Sequence, residues 1–148
     1  MGKRRRARES AIQILFQLEF NDAQPEKILE RFWEDKRCPE EIKNYTGWLV
    51  RGILAHRDEI DQLIQSASEH WRISRMAVVD RNVLRMAVFE LLHEKELAPA
   101  IVIDEAIEIA RKYSSGEAAT FVNGILDAIN KKLNLGKDVL GKKDEEKK

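Results

Sequence analysis

A chain of 148 residues with 43% hydrophobic and 35% charged side chains is long enough to bury about 70% of its unfolded surface around one core without metal or disulfide support. The single cysteine, Cys38, excludes an internal disulfide framework and fits a reducing compartment, and no stretch approaches the ~18 apolar residues of a membrane span. Although 26 Lys and Arg balance 26 Asp and Glu, five of the positives lie in the first eight residues with no acid among them, which excludes a generally basic nucleic-acid coat but leaves room for a local polyanion site.

Lys3 to Phe20, KRRRARESAIQILFQLEF, contains no Pro or Gly and reads as one helix. Ala7, Ala11, Ile14, Leu15 and Leu18 form its apolar stripe, and Ile12, Phe16 and Phe20 widen it to a mostly buried face. Arg4 and Arg8 extend the stripe at its N-terminal end, so packing this helix is expected to aim a basic tip. The bland alternative is a solvated basic tag. A secretory signal does not fit, because Gln13, Gln17 and Glu19 interrupt the apolar run.

Pro25 opens a second, short helix with Ile28, Leu29, Phe32 and Trp33 at core spacing. After Pro39, helical period runs from Ile42 through Tyr45, Leu49, Ile53, His56, Ile60 and Leu63 to Trp71, with a kink expected near Arg57 and Asp58 because an unbroken rod of ~45 Å would outrun a compact chain of this length. Gly47 and Gly52 suggest close helix approach. Ser74 is the expected cap of the next helix, Arg75 to about Glu94, which is apolar on most sides and is expected to be central. Glu90 lies on its apolar side and needs an arginine partner or a place at the edge of the buried face.

Pro99 starts another helix, in which Asp104, Glu105 and Glu108 precede Arg111 and Lys112, the charge order the helix dipole favours. Ser114 with Glu117 has capping-box spacing for the last helix, striped by Ala118, Phe121, Val122, Ile125, Leu126, Ile129 and Leu133. Gly124 lies off that stripe, which suggests a close backbone approach. From Gly136 the chain is charge-rich and poor in apolar residues, and residues 136–148 read as a disordered tail. No segment alternates with strand period. The expectation is an all-α fold of residues 1–135 in two packed helical halves, about 1–72 and 73–135.

Catalytic and metal chemistry find little support. His56, His70 and His93 share no helical spacing and one cysteine completes no zinc set. The acidic groups at Asp58, Glu59 and Asp61 and at Asp104, Glu105 and Glu108 sit beside basic residues in helical turns, as solvated faces do. The residues point to a protein that is not an enzyme and needs no cofactor.

RRRARESAIQILFQLEF, VVDRNVLRMAVFELL and PAIVIDEAIEIARKYSSGEAATFVNGILDAI together resemble the successive signatures of the NusB family of bacterial transcription antitermination factors, from Arg4 to Ile129. The resemblance implies about seven helices in two subdomains. It also implies binding of single-stranded boxA RNA from nascent ribosomal or phage transcripts, a partner in the small-subunit ribosomal protein NusE, and membership of the RNA polymerase antitermination complex in the cytoplasm. Carried onto this chain, the arginine-rich RNA contact falls on Arg4, Arg5, Arg6 and Arg8, with Lys3 adjoining. A second RNA-facing region falls on Ser115, Glu117, Thr120, Phe121 and Asn123, and a contact to NusE falls on Asp80. Two rivals are an RNA-binding domain of a ribosomal RNA methyltransferase, which would need a further cofactor-binding domain, and a basic amphipathic helix lying on an anionic membrane.

Overall fold

The computed structural model describes residues 2–146, with side chains described through residue 134. Seven α-helices follow in order: α1 Lys3–Glu19, α2 Pro25–Trp33, α3 Glu40–Ala55, α4 Arg57–Ala67, α5 Val78–His93, α6 Pro99–Tyr113 and α7 Gly116–Glu146, with a 3-10 turn at Ile73–Arg75 between α4 and α5. Among the described residues there is no strand. Pro25 and Pro99 each occupy a first-turn position, where the missing N–H has no intrahelical partner to lose.

The expected break in the long third segment falls at His56, whose φ of −111° and ψ of 20° end α3 and begin α4. Ser74 does not cap α5. The linker is folded against the end of α4 by Gln65, whose Nε2 donates to the carbonyls of Ser68 and Trp71 while its Oε1 accepts from the Ile73 N–H, and Ser74 is taken into the 3-10 turn. The last helix is capped by Ser115 rather than Ser114. Ser115 Oγ accepts from the Ala118 N–H at 3.0 Å, and Ser114 closes α6 by donating its N–H to Ala110 O at 2.8 Å.

α5 is the axis of the fold and packs against α1, α3, α4, α6 and α7. Its residues from Asn82 to Glu90 are all buried, which is why its sequence shows no single apolar face. One continuous core joins Ile12, Ile14 and Leu15 of α1, Leu49 and Ile53 of α3, Ile60 and Ile64 of α4, Leu84 and Met86 of α5, Ile109 of α6 and Leu126 and Ile129 of α7. Phe16 and Phe20, which the breadth of the α1 stripe assigns to the buried face, stand outside it, 44% and 69% exposed. The helices that cover α1, chiefly α2, α3 and α5, pack on its other sides.

Gly52 is a point of close approach, as expected: a Cβ there would overlap the ring of Phe89. Gly47 and Gly124 differ. A Cβ at Gly47 would meet only the flexible Arg51 guanidinium of its own helix, and at Gly124 it would meet nothing within 4 Å. The α7 backbone continues past Gly136, where a disordered tail is expected, to Glu146, because a charge-rich segment can extend a helix that is already nucleated; Lys147 and Lys148 lie outside the described residues.

Two ion-pair sets fasten α1 along α5 in antiparallel orientation. At one end Arg8 of α1 grips Glu90. At the other Glu19 accepts from Arg85 and pairs with Arg81, both at 3.2 Å, while Arg85 makes a fork on Asp61 of α4 at 2.8 and 2.9 Å.

Candidate nucleic-acid interface

The five basic residues at the start of α1 sort into three kinds. Arg8 is internal: its Nε and Nη2 each donate to Glu90 at 2.8 Å, with the two side chains 4% and 1% exposed. Tyr45 Oη donates a third bond to Glu90 at 2.7 Å. Burial works against the Arg8 charge, but the bonds to Glu90 outweigh it and hold the guanidinium protonated. Burial beside the Glu90 carboxylate also pushes the Tyr45 phenol upward, so it stays a donor. This is the arginine partner that Glu90 requires, and it takes Arg8 out of the surface available to a polyanion.

Lys3, Arg4 and Arg5 are reachable but engaged. Lys3 pairs with Glu41 at 3.0 Å, and Arg4 pairs with Glu94 at 2.9 Å while its guanidinium lies 4.6 Å from the centre of the Tyr45 ring. Arg5 forks onto both oxygens of Glu105 in α6. The hydrogen bond from Arg5 holds the Glu105 carboxyl below its ordinary range. Arg6 is exposed and makes no ion pair among the described residues. The basic tip is thus fixed in place by its own helix and by three neighbouring acids.

The second expected region surrounds the start of α7. Ser115 is an N-cap, and Thr120 Oγ1 donates to the Gly116 carbonyl at 3.2 Å, so both hydroxyls have local structural partners. Glu117 and Thr120 are exposed; Phe121 and Asn123 are half-buried, with Phe121 packed on the core edge. A cleft of about 290 Å³ brings Phe121, Ser115 and Glu117 together with Asp80, Trp71 and Arg75. Thr120 and Asn123 do not line it. Asp80 and three of the residues expected to face RNA, Ser115, Glu117 and Phe121, are therefore contiguous, although they stand on different helices. From Asp80 to Glu94 is about 20 Å along α5, so this cleft and the basic tip lie toward opposite ends of the central helix.

Asp80 Oδ1 is buried with no hydrogen-bond partner, as are Arg81 Nε and Asn82 Nδ2. The exposed pair Phe16 and Phe20, whose ring centres are 5.0 Å apart, is a surface feature that sequence reasoning does not identify. Its one signal is a stripe on α1 wider than a single packed face. Among the described residues no group of three His, Cys, Asp or Glu is arranged to hold a metal ion, and no helix is long and apolar enough to cross a membrane.

Residues 5–131 match the sequence profile of the NusB family. The chain is 42% identical over 139 residues to the transcription antitermination protein NusB of Myxococcus xanthus, covering 90% of this chain and 99% of that one. Among solved structures it resembles T. maritima NusB, with a TM-score of 0.79, 42% identity and coverage of 88% and 92% of the two chains. It also resembles a chain in the crystal structure of antitermination factors NusB and NusE in complex with dsRNA, with a TM-score of 0.78, 32% identity and coverage of 88% and 98%.

Proposed function

The chain belongs to the NusB family, and from that premise we propose that it is a transcription antitermination factor that binds single-stranded boxA-type RNA of nascent ribosomal transcripts together with NusE and joins the antitermination complex on RNA polymerase. In this reading it acts in the cytoplasm, by binding alone, without catalysis or cofactor. The observation that carries it is the basic tip of α1, held rigidly by a helix whose next turns are core.

Arg6 meets a phosphate without losing a partner. Lys3 exchanges its exposed pair with Glu41 for a phosphate at a cost of about 0–1 kcal/mol; Arg4 and Arg5 give up part-buried partners, Glu94 and Glu105, and regain a charged acceptor, because guanidinium forks fit phosphate oxygens as they fit carboxylates. Arg8 acts indirectly, by fixing the first turns of α1 on α5. At the other end Phe121 offers a ring edge for a base, with Ser115, Glu117, Thr120 and Asn123 around it. Asp80, which lines the cleft beside Phe121 and is half-buried, meets NusE, and the exposed rings of Phe16 and Phe20 offer apolar area to a partner.

Gel shifts with boxA-like, scrambled and duplex RNA, each with and without NusE, test the proposal. Preference for the single-stranded boxA-like sequence, strengthened by NusE, is expected; equal binding of all three RNAs would leave only a polycation. Replacing Arg5 and Arg6 by Gln should lower the slope of log affinity against log salt by about 0.7 for each phosphate that is no longer neutralised.

A further inference from the structure

We propose that a trough between α3 and α5, running from Arg4 past Trp48 to His93, is a second RNA subsite that stacks unpaired bases lying outside the sequence held by the α1 tip. It rests on the RNA-binding reading and adds to it a place, a chemistry and a length of strand.

Its wall is a chain of aromatic rings. Tyr45 and Trp48 have ring centres 5.3 Å apart, Trp48 and Phe89 4.8 Å, Phe89 and His93 4.8 Å, and His93 and His56 4.8 Å, with interplanar angles between 35° and 52°. Aromatic series of this kind normally fill a core, yet here only Phe89 is buried. Trp48 is 36% exposed, and His56 and His93 are exposed. Phe89 forms the floor because Gly52 has no side chain to push its ring away.

Two clefts of about 300 and 620 Å³ follow this wall and share Asn44 and Trp48, so they form one path along the surface. Lys3 and Arg4 line the near end, and a strand held at the basic tip therefore leads directly into it. Of the charged side chains along the path, Lys3, Arg4 and Arg51 are basic and Glu41 is acidic. Arg51 is held by Glu26 through an exposed fork at 2.7 and 2.9 Å, a pair that a phosphate can displace at little cost. Exposed rings beside a cationic border are the elements of a single-strand site, where bases stack with little regard to sequence and basic groups follow the backbone.

The test measures affinity of the full-length protein for a boxA-like oligonucleotide in four forms: untailed, with a short uridine tail at either end, and with an abasic tail in place of the uridines. One uridine tail should tighten binding about tenfold, from stacking of a base or two, and the abasic tail should give much less. Trp48→Ala should abolish the uridine gain while leaving the untailed affinity unchanged, and Trp48→Phe should retain most of it. In the wild-type protein, 4-thiouridine in the tail should cross-link to the peptide containing Trp48, a readout independent of any variant's folding. Tight binding of untailed RNA with no gain from either tail, or a gain that survives Trp48→Ala, would overturn the subsite alone. Failure of the untailed RNA to bind would overturn the RNA-binding reading and the subsite with it.

Discussion

Arg8 and Arg6 are two residues apart on one helix and face opposite fates. Arg8→Gln leaves Glu90 buried without its charge partner and should cost about 3–5 kcal/mol in urea unfolding. Arg6→Gln, at an exposed position, should stay within about 0.5 kcal/mol and change RNA affinity instead. Replacing the whole buried set, Arg8→Leu with Glu90→Leu and Tyr45→Phe, should recover most of the loss, because apolar side chains of similar volume remove the desolvation cost together with the pair. Glu105 supplies a pH dependence. Its carboxyl is held below the ordinary range chiefly by the Arg5 hydrogen bond, so its contribution to stability is present above the unfolded-state value and is lost as pH falls through the lowered folded one. Glu105→Gln should flatten the acid limb of a thermal melting series across that window. The same substitution frees Arg5 and should tighten RNA binding at neutral pH; weaker binding would mean that Glu105 is needed to position Arg5.

At the scale of the helices, two glycines that look alike in the sequence should respond in opposite ways to the same change. Gly52→Ala forces a methyl into the Phe89 ring and should destabilise by about 1–3 kcal/mol. Gly124→Ala meets nothing and should stabilise by about 0.5–1 kcal/mol through helix propensity, measured by the shift in melting temperature. The elements themselves are legible in the sequence because their signals are local: Pro25 and Pro99 mark starts, and helical period with a length limit places a break close to the one at His56. What is not legible depends on the far side of each helix. Whether Phe16 is core or surface is decided by which helix lies opposite, and neither period nor composition carries that. Ser114 and Ser115 are equally good caps by residue type, and the closure of α6 decides between them. In the candidate site, the sequence marks the basic tip and a carboxylate, Glu90, that needs either an arginine or a place at the edge of the buried face. It does not show that Arg8 is that arginine, since they are 82 residues apart.

Across the whole molecule, one cleft joins Asp80, proposed to meet the partner, to Phe121, proposed to meet RNA. Asp80→Lys should weaken NusE binding by at least about tenfold in calorimetry, through reversal of a half-buried charge. RNA binding by the isolated protein should keep its salt slope, because the phosphate contacts lie at the other end of α5. Equal loss of both activities would point to misfolding, and unchanged NusE binding would remove Asp80 from the interface. The paired fastening of α1 on α5 has a mechanical consequence. A transcript leaving a moving polymerase pulls on whatever holds it, and in the proposed reading that pull arrives at the tip of α1. Because Arg8 with Glu90 at one end and Glu19 with Arg81 and Arg85 at the other lie along the same antiparallel pair, tension directed along the helix loads both sets at once in shear, whereas a tip held only near the load would peel away one bond after another.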